Sequence, residues 1–363
     1  MAKEKAVTVY DIADHARTSV ATVSRVLNGS VLVGDDLRTR ILAAAENLGY
    51  VRKTVRRPVS RSVFNVVVIV RGVEDGLDHL FYDLTELIQG LEEGLGVLHA
   101  NLVIATNAGT TAPAFWSKKL GDIDAIVTAF VDPDPQLPRF AEQRGVPLVL
   151  INRDLDGVSS VTSDDVFGAE KILEHLSATR SLERALFVGI ESAEVVSSRR
   201  AEAFKRVAEE IGVSIEHVSV VDLGKEASAV LSLAVARNAD AIICVNDVVA
   251  ARLVEAAGRI ELSGQGVAGR EERAVRVPED IAVTGFDGAP FLSLIKPCPT
   301  SFVLSAREFG RQAGAVLTEL LGTRNAEDRE PRRIKIRGTL RIGETSVAAA
   351  SPTRVHDGGS HEQ

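Results

Sequence analysis

Ser19-Val20-Ala21-Thr22-Val23-Ser24-Arg25-Val26-Leu27-Asn28 opens on a good helix-capping serine and repeats its apolar residues at the spacing of one helical face. Working back from it, Tyr10 to Ala16 reads as a first short helix, closed by a tight break at Arg17-Thr18. Working forward, Leu37, Ile41, Ala44, Ala45 and Leu48 mark a third helix over Leu37 to Leu48, and Gly49 is a natural stop for it. Two short helices across a tight turn suit a helix-turn-helix, whose second helix enters the major groove of DNA. The side chains fit that placement. Ser19, Thr22, Ser24 and Asn28 are short donors for phosphates, Arg25 can span a guanine edge, and Val20 and Ala21 can touch thymine methyls. Any three-helix mini-domain offers residues of these types, so the spacing alone leaves the merely structural reading open.

The 363 residues are too many for one ordinary domain of about 150. With 45% hydrophobic and 25% charged residues there is material for buried cores, which excludes wholesale disorder. The net charge of −8 taken alone argues against a nucleic-acid partner. It hides an asymmetry, because residues 1–62 hold eleven Lys/Arg and six Asp/Glu, a net +5, which leaves −13 for the rest. A basic module tethered to an acidic one is the natural reading. Two cysteines, Cys244 and Cys298, make no disulfide framework and fit a reducing cytoplasm. The start carries no apolar signal-peptide core, and runs such as Val66 to Val70 are far short of a membrane span, so no export and no membrane partner are expected.

From Phe64 the pattern changes to β-branched runs separated by amphipathic stretches. The runs are Val66–Val70, Leu102–Ala105, Ala125–Phe130, Pro147–Ile151, Ala185–Gly189, Val218–Asp222, Ala241–Val245 and Ile281–Phe286. Continuous apolar strands alternating with helices signal parallel sheets covered on both faces. Eight strands exceed one sheet of the usual four to six, so two doubly wound, Rossmann-like subdomains with a cleft between them are expected, a single large sheet being the alternative.

Val-Thr-Val-Tyr-Asp-Ile-Ala at 7–13, the stretch from Ser19 to Gly29, and Ala-Ala-Glu-Asn-Leu-Gly-Tyr at 44–50 closely resemble the N-terminal module of the LacI/GalR (lactose and galactose repressor) family. The resemblance continues through Pro147–Arg153, Arg200–Phe204, Asp240–Asp247, Val277–Asp287 and Leu340–Ser346, and so covers roughly residues 7–346 in unbroken order. It implies a homodimeric transcriptional regulator with an all-α DNA-binding head and an α/β core of periplasmic-binding-protein type that holds an effector. The implied division is 1–50 for the helix-turn-helix domain, 51–62 for a basic hinge and 63–346 for the core. Within the core, 63–162 and 304–330 would form the first subdomain and 163–303 and 331–346 the second, and the polar tail 347–363 reads as disordered.

Residue by residue, the resemblance assigns base reading to Val20 and Ala21, helped by Arg25, and a grip on the DNA backbone to Thr8, Tyr10, Ser19, Thr22, Ser24 and Asn28, with Tyr50 closing the module. Arg56 and Val59 fall on the family's hinge helix, which forms on the operator and wedges a leucine into the minor groove. The chain departs from that pattern. Arg56 stands where a small alanine is usual, Val59 where the leucine is usual, and Pro58 before it costs roughly 3 kcal/mol inside a helix. A weakened or remodelled hinge is therefore expected, with Arg52, Lys53, Arg56, Arg57 and Arg61 supplying non-specific phosphate attraction. In the core, Arg200, Asn246 and Asp287 match effector-holding positions, and Asp165, His79 and Phe81 are weaker candidates. The bland alternatives are that Asn246 only caps the next helix and that Asp287 only satisfies a turn with Gly288.

Gly264-Gln265-Gly266-Val267-Ala268-Gly269 spells a dinucleotide fingerprint, but it follows a helix instead of a strand and runs into Arg270-Glu271-Glu272-Arg273, so it reads as part of a surface insertion over 260–276. No metalloprotease, nucleophile-elbow or phosphate-loop motif occurs, and no cofactor, metal or enzymatic activity is expected. The leading expectation is a cytoplasmic repressor whose dimer binds a pseudo-palindromic double-stranded operator, tuned by a sugar or sugar derivative in the cleft. The alternatives are a solute-binding protein with no DNA role and a regulator answering to a nucleoside or small carboxylate.

Overall fold

The computed structural model describes residues 7–27, 34–48, 50, 63–72, 82–106, 123–191, 194–258, 275–323 and 326–347. The chain divides into two compact units, the smaller built on residues 1–61. In that head, α1 (Val9–His15), α2 (Val20–Leu27) and α3 (Asp35–Asn47) bury Ile12, Ala13, Ala16, Val23, Val26, Ile41, Ala44 and Ala45 against one another. Thr8 opens α1 with a capping box. Its hydroxyl accepts from the Asp11 N–H while the Asp11 carboxylate takes the Thr8 N–H at 2.7 Å. The break between α1 and α2 is made by Arg17, held at φ 48°, and by the Thr18 N–H reaching back to the Ala13 carbonyl at 2.9 Å. Few residues other than glycine tolerate that conformation.

The core holds two six-stranded sheets. Its strands are β1 (Phe64–Val70), β2 (Ala100–Thr106), β3 (Ala125–Ala129), β4 (Leu148–Ile151), β5 (Ser159–Ser163), β6 (Arg184–Ile190), β7 (Ser214–Val220), β8 (Ala241–Cys244), β9 (Ala282–Asp287), β10 (Thr300–Val303), β11 (Arg333–Ile336) and β12 (Thr339–Arg341). Helices α4 (Leu84–Leu95), α5 (Leu137–Arg144), α6 (Asp165–Thr179), α7 (Glu194–Glu210), α8 (Leu223–Ala236), α9 (Asp247–Ala257) and α10 (Ala306–Gly322) alternate with them. The first sheet has the order β11-β5-β4-β3-β1-β2 and is parallel throughout. The second has the order β12-β10-β9-β8-β6-β7, with β12 alone antiparallel. Stripped of β11 and β12, both orders are the doubly wound 2-1-3-4-5 arrangement, which binds ligands beyond the C-terminal strand ends at the switch point.

The eight apolar runs all become strands. The four further strands are β5, β10, β11 and β12, whose sequences Ser-Ser-Val-Thr-Ser, Thr-Ser-Phe-Val, Arg-Ile-Lys-Ile and Thr-Leu-Arg are too polar or too short to read as buried runs. The chain crosses between the sheets three times, between Ser163 and Asp165, between Val303 and Ala306, and between Ile336 and Thr339. The last crossing differs from the expected division. Residues 333–336 lie on the first sheet, paired in parallel with β5, because Ile336 fills that sheet's core and the polypeptide changes sheet only at Arg337-Gly338.

Helices α4 and α10 pack face to face with almost no side chain between them. A Cβ built on Gly90 would meet the Arg307 carbonyl oxygen at 1.9 Å, and one on Gly310 the Leu87 oxygen at 2.1 Å. Leu87, Leu91, Phe309, Ala313 and Leu317 close the flanks of this contact against the first sheet. The hinge residues Arg56 and Val59, together with Asn28, His79 and Phe81, residues 260–274 of the 260–276 insertion and the tail after Val347, lie outside the described residues.

Candidate functional site

In the head, α2 presents the residues the sequence singles out. Ala21, Ser24 and Arg25 are exposed, as are Ser19 and Tyr10, which is 70% exposed. Ser19 caps the helix, its hydroxyl accepting from the Thr22 N–H at 3.1 Å and meeting the Thr22 hydroxyl at 2.8 Å. Val20 is half-buried and packs on the head's core, so Ala21 is the more open of the two small apolar residues. Tyr50 also packs there, its N–H donating to the Ala45 carbonyl at 2.9 Å. Thr8 is exposed, and its hydroxyl donates to Asp11 at 2.6 Å.

In the core, the C-terminal ends of β3, β4 and β9 carry Phe130, Asn152 and Asp287 at φ 58°, 56° and 95°, left-handed conformations that side chains other than glycine rarely adopt. Strain of this kind concentrates at ligand sites and switch regions. Gly288, next to Asp287, is also left-handed at φ 77°, as the turn requires. Around these ends lies a network of arginines and aspartates. Arg200, on α7, is 1% exposed and lies 3.9 Å over the Phe286 ring. It donates from Nη2 to Asp287 at 2.6 Å, from Nη1 to the Val245 carbonyl at 2.5 Å and from Nε to Asp165 at 3.4 Å. Asp165 begins α6, immediately after the first crossing.

Asp165, Arg200 and Asp287 thus come together in one hydrogen-bonded set. Asn246 lies beside them, directly after the carbonyl that Arg200 grips, and its side chain caps α9 by accepting from the Val249 N–H at 3.0 Å. Capping occupies one oxygen and leaves the amide nitrogen for other work. Sequence reasoning missed the rest of the network. Arg199 donates to Asp165 at 2.6 Å and to Asn152 at 2.7 Å, and Ser163 donates to Asp165 at 2.5 Å. Arg153, 5% exposed, donates to Asp132 at 2.5 Å and to the backbone carbonyls of Asn152 and Phe130. The Arg199-Arg200 pair at a strand-to-helix end was the available signal, since two adjacent cations near a cleft call for two sets of acceptors.

Burial pushes the Asp165 carboxyl up, but the guanidiniums of Arg200 and Arg199 outweigh it and hold the group below the usual carboxylate range. Asp287 is pushed up by burial against the pull of Arg200. Asp247, at the start of α9, is fully buried, accepts the Ala289 N–H at 2.5 Å, and burial pushes it up to about 7. Among the described residues, no group of three His, Cys, Asp or Glu could hold a metal ion, and no helix is long and apolar enough to cross a membrane.

Residues 8–53 match the family described as bacterial regulatory proteins of the lacI family, and residues 173–346 match the periplasmic binding protein-like domain. The ribose operon repressor of Halalkalibacterium halodurans is 25% identical over 94% of this chain and 99% of its own. Two solved structures share the fold. The transcriptional regulator CelR in complex with cellobiose has a TM-score of 0.63 at 23% identity, covering 93% of this chain and 99% of its own. The lac repressor dimer bound to operator and the anti-inducer ONPF has a TM-score of 0.58 at 18% identity, covering 95% of this chain and 100% of its own.

Proposed function

The chain belongs to the LacI family of bacterial regulatory proteins, and we propose that it is a transcriptional repressor whose dimer binds a pseudo-palindromic operator under the control of a sugar or sugar derivative. The observation that carries this reading is the presence of an exposed, serine-capped α2 on a basic head and of a strained, arginine-rich network at the strand ends of an acidic core. One part has the chemistry to read DNA and the other the chemistry to hold a small polar ligand.

On the operator, α2 lies in the major groove with Ala21 and Val20 against thymine methyls and Arg25 on a guanine edge. Tyr10, Ser19, Thr22 and Ser24 set the register on phosphates, and the capping box at Thr8 fixes the start of α1 that presents Tyr10. In the core, Arg200, Asp165, Asp287 and Asn246 hold the effector. Asp165 follows the first crossing and Asp287 ends β9, so a ligand on these groups acts on the angle between the subdomains. That change of angle is the two-state element that sets operator affinity.

A mobility-shift titration of the full chain against palindromic and scrambled duplexes tests the DNA half. Binding to both with equal affinity, or to neither at low salt, would sink it. Arg25→Ala is expected to relax base preference and to cost about 10- to 100-fold in operator affinity, the value of one bidentate base contact. Arg200→Ala is expected to abolish the effector's influence on that shift while leaving the duplex bound.

A further inference from the structure

We infer that the cleft's ligand is a carbohydrate carrying an anionic group, a carboxylate or a phosphate, and that this group docks on Arg199. The inference rests on the effector-cleft reading above. It starts from a count of donors. All three arms of Arg200 have acceptors, in Asp165, Asp287 and the Val245 carbonyl. Arg153 is likewise filled by Asp132 and two backbone carbonyls. Arg199 is different. Its Nε and Nη2 are engaged by Asp165 and Asn152, but its Nη1 is buried and has no acceptor among the described residues.

Buried guanidinium N–H groups are usually paired. Among the described residues Arg180 Nε and Arg341 Nε and Nη2 are also unpaired, but Arg199 Nη1 belongs to the side chain that joins Asp165 to Asn152 at the strand ends, which makes it the binding position in want of an acceptor. The acceptors a neutral sugar would use are scarce. Both oxygens of Asp165 already receive arginine, and the Arg200 guanidinium holds Asp287. The ion pairs of the network point the same way. Arg199 and Arg200 share Asp165, Asp287 is held by Arg200 and Arg153 is held by Asp132, so every carboxylate paired with these arginines is already engaged. A ligand that brings its own negative acceptor satisfies the open Nη1 without displacing one of these pairs, and a carboxylate or phosphate on an arginine gives the strongest class of hydrogen bond.

Position adds the regulatory consequence. Arg199 belongs to α7 over the second sheet, yet its Nη2 reaches Asn152, at the end of β4 in the first. An anion on the Arg199 Nη1 therefore engages the side chain that ties the two subdomains together.

The test is a thermal-shift and calorimetric screen of the full chain with matched probes: glucose, glucuronate and glucose 6-phosphate, galactose and galacturonate, ribose and ribose 5-phosphate. An anionic member of at least one set is expected to bind 10-fold or more tighter than its neutral parent. Arg199→Leu should erase that preference and Arg199→Lys should retain part of it. Glucuronate and galacturonate against the sugar phosphates decides which anion is meant. Neutral parents binding as tightly as their anionic partners, or an anion preference that survives Arg199→Leu, overturns the inference and leaves the sugar cleft standing. No binding by any probe removes the sugar cleft itself and the inference with it.

Discussion

At the residue scale the core turns on Arg200. Among the described residues it is the largest side chain that is fully buried, and it neutralises Asp287 and part of Asp165 while resting on Phe286. Removing one member of such a buried set leaves uncompensated charge, which typically costs about 3–5 kcal/mol. Arg200→Met is therefore expected to lower core stability by that amount in urea unfolding, and adding Asp287→Asn should recover part of the loss by removing one stranded carboxylate. A loss under about 1 kcal/mol would mean that solvent reaches the site and that the pairs behave like surface ones. Asp247 makes a separate prediction in pH. Its carboxyl sits at about 7 in the fold against an ordinary value of 3.8, so between those values the folded state keeps a proton that the unfolded chain has released. The stability this group contributes is complete below the unfolded value and is lost as pH rises through 7. The melting temperature of the natural protein should therefore fall more between pH 5 and 7.5 than that of Asp247→Asn, and parallel curves would refute the assignment. Asp165 lies below the usual carboxylate range, and Asp287, which burial also pushes up, is present in both proteins, so the comparison with Asp247→Asn isolates the Asp247 contribution.

At the element scale the tightest feature is the α4–α10 pair. Gly90 and Gly94 face α10, and Gly310 and Gly314 face α4, and a Cβ on any of the four would come within 2.5 Å of a main-chain oxygen across the contact. Backbone cannot retreat as a flexible side chain can, so Gly310→Ala should destabilise the core by about 3 kcal/mol, the upper end for overpacking. Gly322→Ala is the control. It sits in open space at the end of the same helix and should change stability by less than about 0.5 kcal/mol in the same denaturant titration. Much at this scale was legible in the sequence. The three head helices fall within two residues of their expected bounds, and every long apolar run is a strand, because burial on both faces leaves a continuous signature. The strands that escaped reading are those that carry the crossings. β5 is Ser-Ser-Val-Thr-Ser, and β11 and β12 are short edge strands of four and three residues, so neither apolar continuity nor length betrays them. The site shows the same division. Arg200 and Asp287 stand in recognisable motifs, whereas Asn152, Ser163 and Arg199 meet only because three separate strand and helix ends converge, which no local pattern records.

At the scale of the whole molecule, the charge divides where the chain does, +5 over residues 1–62 and −13 beyond. An acidic core is repelled by the duplex, so the salt-dependent part of operator affinity must come from the head and the basic segment after it. Five of the eleven positive charges lie between Arg52 and Arg61, in the stretch where Pro58 breaks the family's hinge pattern. If those side chains lie along phosphates, each contact contributes a slope of about −0.9 in log affinity against log salt. Changing Arg56 and Arg57 to Gln removes four such charges from a dimer, and the slope should shrink by roughly 3 to 4 units. Arg206→Gln, on the exposed face of α7, should leave the slope unchanged while altering the net charge in the same direction. Measured by fluorescence anisotropy on one operator from low to moderate salt, the two variants separate local phosphate contact from overall charge. A slope unmoved by the Arg56 and Arg57 changes would place every phosphate contact within the three-helix head, and the basic segment would then act only as a tether.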